Sequence, residues 1–426
     1  MQKIENVRIL TNGKLVDGTL VIDNGLIQSI EPATGPCTQI LIPGAVDAHV
    51  HFREPGLTQK ADIASESRAA AAGGVTTVLD MPNVNPTTTT PQALADKHRL
   101  FADKCVVNYG IWYGITSDNI DEALDLYGRP DSPYRDQICG FKVFLGSSTG
   151  GMLMNDQQKL RQLFSQTQRV IGIHSESEDI IRRNREKYQA LYGDDVPVEF
   201  HPKIRDVEAC MQTTRMAVEI ALETGAQLHV CHLTTQEELD YVSKVKGQES
   251  KITAEVTPAH LWFSQEDYKR LGTRIKCNPA IKRVQDRDAL RKAAFAGQIF
   301  SIGTDHAPHL LSDKQGGALR AASGMPSIQF GLLAMLDLFC PDHCYDRLPV
   351  LVKIMSTHPA QRFGLTDRGE IAVGKRADLV LIDPNQQTTV TKDIILSKCG
   401  WSPFEGETFR NKIVRTWVGG EDPLQP

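Results

Sequence analysis

The chain has 426 residues, 41% hydrophobic and 23% charged, with a net charge of −5, the profile of an ordinary globular enzyme. The small negative charge excludes the basic footprint of a nucleic-acid partner and a polybasic membrane patch, and no run approaches the ~18 apolar residues of a membrane span. The N-terminal MQKIENVRILTNGKLVDG lacks an apolar core with a cleavage site, and nine scattered cysteines, an odd number, do not make a complete disulfide framework, so a reduced cytoplasmic setting is expected.

Residues 1–40 hold short alternating segments separated by turn signals (TNGKLVDG, DNG), the pattern of β-hairpins. Eight short apolar, β-branched runs follow: Ile40–Val50, Val75–Met81, Val106–Ile115, Ile138–Leu145, Val170–His174, Gln227–Leu233, Ile252–Val256 and Ile299–Gly303. Amphipathic stretches separate most of them, among them Asp62–Ala72, Pro91–Lys104, Asn155–Gln168, Val207–Glu223 and Gln285–Ala296. Strands alternating with helices imply a parallel sheet, and eight such units imply a closed (β/α)8 barrel, which takes about 250 residues as one unit. An open doubly wound sheet is the alternative; the strand count favours the barrel. Residues 366–426 return to hairpin patterning (RGEIAVGKRADLVLIDP, then a set ending RTWVGG). The expected organisation is an α/β chain with a catalytic barrel over 44–365 and a small β-sandwich domain built from both termini, 1–43 with 366–426. Cys340 and Cys344 are close, but no second cysteine pair completes a structural zinc site.

Several runs end in residues able to do chemistry: HVHFRE, DMPN, FKVFLGSS, IHSES, VCHL, EVTPAH and IGTDHAPH. In a barrel these ends gather on one face, where active sites are built. His49 and His51 share a strand face, because alternate side chains point the same way, and neutral imidazole is a good zinc ligand. One His-x-His pair is weak evidence. With His174, His232 and Asp305 at further strand ends, the set points to metal. Lys142 lies mid-strand between Phe141 and Val143. Such a lysine can snorkel at a strand edge, but a bare ammonium facing the interior is costly to bury. Carboxylation by carbon dioxide would make it a carbamate anion able to bridge two cations.

The run PGAVDAHVHFREPG, the MPN at 81–83, the CNP at 277–279 and the DHAPH at 305–309 resemble the dihydroorotase family of the amidohydrolase superfamily, and the resemblance continues through HPAQRFGL and RGEIAVGKRADLVLID. It implies a binuclear zinc hydrolase of cyclic amides that interconverts N-carbamoyl-L-aspartate and (S)-dihydroorotate in pyrimidine biosynthesis. In that scheme His49, His51 and Asp305 hold one zinc, His174 and His232 hold the other, and Lys142, as its carbamate, bridges both. Two zinc ions would activate water at neutral pH and polarise the carbonyl; Asp305 would take the water proton and pass it to the leaving nitrogen. Arg53, Asn83 and His309 would hold the substrate carboxylate, while Asn278 and the backbone near Ser323 and Gly324 read the ring amides. The alternative for Arg53 is a surface salt bridge with Glu54. Many bacterial long-form members place a bridging aspartate just after the Lys142 strand; this chain has Gly146-Ser147-Ser148-Thr149-Gly150 there, and so looks like the lysine-bridged members, including hydantoinases and allantoinases.

Those enzymes, allantoinase and hydantoinase/dihydropyrimidinase, are therefore the nearest alternatives, with a non-catalytic homologue serving as an assembly partner further off. Arg53 discriminates among the enzymes, because a substrate without a carboxylate gives a guanidinium no partner. The stretch His309–Gly324, rich in Gly, Ser and Ala, reads equally as a lid or as a surface loop. A homodimer, or a complex with aspartate carbamoyltransferase, is left open by the sequence.

Overall fold

The structure is a computed structural model that describes residues 1–146, 151–154, 156–246 and 251–425. Its first three strands, β1 (Gln2–Thr11), β2 (Lys14–Asp23) and β3 (Leu26–Pro32), form an antiparallel meander. The turns are Asn12-Gly13 and Asn24-Gly25, with φ of 49°, 72°, 50° and 76°. Positive φ at both central residues gives a turn whose twist matches the flanking strands, and Asn-Gly is the pair that adopts it at least cost. A fourth strand, β4 (Gln39–Pro43), pairs parallel with β1.

The chain then changes sheets. The run Ile40–Val50, expected as one strand, is two: β4 ends at Pro43 and β5 covers Ala45–Val50. Gly44 makes the crossing, where a Cβ would overlap the side chain of Thr76. From β5 the parallel sheet continues through β6 (Val75–Asp80), β7 (Asn108–Gly114), β8 (Gly140–Phe144), β9 (Val170–His174), β10 (Gln227–Val230), β11 (Thr253–Val256) and β12 (Ser301–Ile302), paired in that order. An isolated parallel bridge between Val50 and His306, with His51 N donating to His306 O at 2.8 Å, joins the ends into the expected barrel. The last strand is shorter than its apolar run. Its ladder toward β5 is replaced by a side chain: Asp47 accepts from Thr304 N (3.0 Å) and Thr304 Oγ1 (2.5 Å), and from His49 N (3.1 Å).

The barrel interior is filled rather than hollow. Trp112 lies inside it among Ala48, Leu79, Met81, Val170 and Cys231, its indole donating to Ala48 O at 3.0 Å. Gly140 and Gly172 make room, since a Cβ on either would sit 2.8 Å from the indole ring. Side-chain layers of this kind close the centre and leave the carboxyl ends of the strands as the working face. Helices cover the outside, and several start at side-chain caps: Ile63–Ala72 at Asp62, Pro91–Lys104 at Thr90 and Val207–Thr224 at Asp206.

After the barrel, β13 (Leu379–Asp383) and β16 (Lys412–Trp417) rejoin the first meander, with the ribbon β14 (Thr388–Thr389) and β15 (Thr408–Phe409) between them. The resulting sheet runs β16-β13-β4-β1-β2-β3. One face packs Ile4, Val7, Ile9, Leu20, Leu379 and Trp417 into a core of its own; the alternate residues Ile40, Ile42, Val380 and Ile382 join the main core. All nine cysteines are unpaired, and among the described residues no helix is long and apolar enough to cross a membrane.

Candidate metal centre and substrate cavity

One cavity opens at the carboxyl ends of the barrel strands. Its wall contains all twelve residues singled out from the sequence: His49, His51, Arg53, Asn83, Lys142, His174, His232, Asn278, Asp305, His309, Ser323 and Gly324, together with Phe144 and Ala307. His49 is the penultimate residue of β5 and His51 follows its end. Lys142 lies mid-strand in β8, and His174 ends β9. His232 comes two residues after β10 and Asp305 three after β12. Three of the site residues carry positive φ without being glycine: Arg53 (67°), His232 (38°) and Asp305 (47°). Each is a local backbone cost of the kind that persists where surrounding structure imposes it, often at functional sites.

Two donor clusters meet here. Nε2 of His51 lies 3.0 Å and Nε2 of His49 3.3 Å from the same oxygen, Asp305 Oδ1. His174 Nδ1 and His232 Nε2 lie 2.9 Å apart, with their rings edge-on. The remaining ring nitrogens are mostly anchored from behind: His49 Nδ1 on Glu255, His51 Nδ1 on Asn83 Oδ1 at 2.7 Å, and His174 Nε2 on Glu176 Oε2 at 2.8 Å. His232 Nδ1 is buried with no partner. Such anchoring fixes which nitrogen a histidine offers to a metal. Lys142 Nζ, fully buried, donates to Cys231 Sγ at 3.1 Å and lies 5.1 Å from the Phe144 ring centroid. Its charge is felt by His49, His174, His232 and Asp305. Four imidazoles, a carboxylate and a lysine able to become an anion form a donor set that fits two zinc ions.

The electrostatics agree with that chemistry. Burial pulls the Asp305 carboxyl upward, but His49 and His51 outweigh it and hold the pKa at about 2, so it is an anion at neutral pH. Glu176 is likewise held at about 2, against its burial, by Arg205 and His174.

The rest of the cavity carries cations. Arg53 is buried; its Nε donates to Pro308 O at 3.1 Å and its Nη2 faces His309 Nε2 at 3.1 Å. Burial lowers its pKa to about 10. The ion pair of Arg53 with Glu54 weighed from the sequence is absent: Glu54 receives Lys104 Nζ at 2.5 Å and Ile63 N at 3.1 Å. His309 is depressed by burial and by Arg53, Lys60 and Lys314, and Lys60 Nζ stands 3.2 Å from its Nδ1. Asn278 Oδ1 is buried without a partner, and Gly324 has φ of 132°, where a Cβ would lie 2.6 Å from Ala307 O.

The stretch His309–Gly324 forms a pinned wall of the cavity. Lys314 Nζ donates to the carbonyls of Lys276 (2.9 Å), Ala322 (2.8 Å) and Gly324 (2.8 Å), Gly324 N donates to Lys276 O (2.9 Å), and Trp401 Nε1 donates to His309 O (2.7 Å). Ser147–Gly150, the acid-free loop after β8, lies outside the described residues. Sequence reasoning passed over Glu255, Glu176, Lys60 and Lys314. The first two stand in the strand-end runs EVTPAH and IHSES; the signal for Glu176 was its place two residues after His174 and for Glu255 its place in a strand-end run, while the two lysines carried none. In DHAPH, His306 turns away from the cavity to Glu66 Oε2 at 2.7 Å.

Comparison with known proteins agrees with this architecture. The Amidohydrolase family model matches residues 40–421. A dihydroorotase of Methanosarcina mazei is 33% identical, with 95% of this chain and 90% of that protein covered, and one of Halobacterium salinarum is 33% identical over 95% and 88%. A dihydroorotase of Lactobacillus acidophilus is 29% identical over 98% and 97%. Among solved structures, the L-hydantoinase (dihydropyrimidinase) from Arthrobacter aurescens superposes with a TM-score of 0.89 at 24% identity, covering 99% of this chain and 95% of the other. That likeness shows the shared fold.

Proposed function

Since the chain belongs to the amidohydrolase family, with dihydroorotases as its sequence relatives, and is a hydrolase acting on cyclic amide C–N bonds, we propose that its reaction is the reversible interconversion of (S)-dihydroorotate and N-carbamoyl-L-aspartate, the ring-closing step of pyrimidine synthesis. The observation that carries this reading is the cationic end of the cavity. Arg53 is a buried guanidinium with no carboxylate in ion-pair range among the described residues, and Lys60 stands on the other side of His309. Both ring nitrogens of His309 face N–H donors, and a neutral imidazole can accept at only one of them. A substrate carboxylate supplies the missing acceptor. Hydantoin, dihydrouracil and allantoin have no carboxylate and leave a buried charge unpaired, which is costly.

Within this reading His49, His51 and Asp305 would hold one zinc, His174 and His232 would hold the other, and Lys142, as its carbamate, would serve as a ligand to both. When bound, the metals activate water and polarise the scissile carbonyl. Arg53, with Asn83 and His309, fixes the substrate carboxylate, so the ring amide is presented to the donor clusters in one orientation. The Asn278 side chain and the backbone at Ser323 and Gly324 meet the remaining amide groups. Asp305, ionised, takes one proton from the attacking water and delivers it to the departing ring nitrogen as the C–N bond breaks, giving the ureido group and a carboxylic acid whose remaining proton is lost to solvent; ring closure runs the same transfers backwards, taking up that proton. The test is direct. The zinc-loaded protein is offered dihydroorotate, dihydrouracil, hydantoin and allantoin; turnover of dihydroorotate in strong preference to the neutral rings is expected, and preference for any neutral ring overturns the assignment.

A further inference from the structure

Glu255 lies behind the cavity wall, on β11, and is 1% exposed. One of its oxygens, Oε1, accepts from His49 Nδ1 and from the backbone N–H of His232 at 3.3 Å. The other, Oε2, faces His229 Nε2 at 3.3 Å, and His229 Nδ1 is fixed on Thr253 Oγ1 at 2.8 Å. A Cβ on Gly303 would stand 2.6 Å from Oε2 and 3.1 Å from the His49 Cβ, so the glycine just after β12 is what leaves room for this carboxylate. The other anchors differ. Asn83 touches only His51 among the candidate ligands, and Glu176 touches only His174. Among the described residues Glu255 alone holds one candidate ligand from each cluster: the ring of His49, and the backbone of His232 at the point where its φ is 38°.

We propose that Glu255 is the positioning residue that couples the two metal sites, orienting His49 Nε2 toward one metal and pinning the strained backbone that presents His232 to the other. The inference rests on the two-zinc reading above. Glu255 is not itself a ligand in this scheme: the His49 nitrogen it holds is the one turned away from Asp305, and it is not part of the cavity wall. Because a histidine held by a carboxylate is both oriented and made more basic, losing the carboxylate weakens metal binding, commonly 10- to 100-fold. Here the loss falls on both ions through one side chain.

Glu255→Gln and Asn83→Ala, each zinc-loaded, are titrated with a chelator while zinc release and stoichiometry are followed, with far-UV circular dichroism of the zinc-free forms as the check on folding. Glu255→Gln is expected to release both zinc ions together, each with affinity lowered about 10-fold or more, while Asn83→Ala weakens one and spares the other. If zinc-free Glu255→Gln does not fold, Glu255→Asp, which keeps the charge and shortens the reach, is judged by the same criterion. Retention of one zinc at wild-type affinity, or of both, overturns the coupling role. Wild-type protein that binds fewer than two zinc ions overturns the two-metal reading instead, so the two failures are distinct.

Discussion

Arg53 and His309 meet at 3.1 Å, Nη2 to Nε2, in the wall of the cavity that also holds the candidate metal ligands, and no protein carboxylate among the described residues lies in ion-pair range of the guanidinium. The two residues are 256 positions apart in the chain, yet together with Lys60, whose Nζ stands 3.2 Å from His309 Nδ1, they make a cationic corner beside the candidate metal ligands. A substrate that carries an anion at one end and a scissile amide at the other fits between them.

Replacing Arg53 with Met is expected to leave zinc content unchanged and to raise KM far more than it lowers kcat. The loss should be about 2–5 kcal/mol, the range for removing one side of a buried charge pair. Steady-state kinetics beside metal analysis checks this, and normal turnover of dihydroorotate would mean that the substrate lies in another pose.

Asp305→Asn removes the proton carrier while preserving size. A fall in kcat of at least ~10²-fold is expected, the lower range for general acid–base catalysis. The measurement is single-turnover hydrolysis by protein confirmed to hold two zinc ions; near-normal turnover would falsify the shuttle role.

Lys142 tests the bridge. A protonated amine repels metal ions and cannot ligate, so Lys142→Ala is expected to lose zinc and activity together, and Lys142→Glu to retain part of the zinc because a carboxylate is restored. A high-resolution crystal structure of active, zinc-loaded protein should show the carbamate on Nζ; a bare amine there would remove the bridge.

Lys314 supplies a pH-dependent prediction. Burial depresses its pKa to about 7, against an unfolded value of about 10.4. The folded chain therefore holds fewer protons than the unfolded one between those limits, so this group's contribution to stability rises with pH across that window and is least favourable below it. The stability of wild type relative to Lys314→Met should increase from pH 7 to pH 10, read from urea midpoints. A flat difference would show that the ammonium is not desolvated. The same variant leaves three backbone carbonyls of the cavity wall without their donor, and should raise KM.

Much was legible in the sequence because barrels obey simple periodicities. Alternation along one strand put His49 and His51 on one face; eight apolar runs separated by helical stretches implied a parallel sheet and, by their number, favoured its closure; and chemistry-bearing residues at the ends of those runs had to collect on one side of it. Residue type then indicated metal. Tertiary structure decided what faced what. Gly44, read as interior to a strand, is where the chain leaves one sheet for another, because only contact with Thr76 distinguishes a crossing from a continuation. Glu255 became a partner of His49 across 206 residues, Arg205 of Glu176, and Lys60 of His309. Periodicity specifies the face on which a side chain emerges, but the group it meets belongs to another strand, set by barrel register and closure. Hydrogen bonds and ion pairs depend on those distances to within a few tenths of an ångström, a precision the pattern of residue types does not carry.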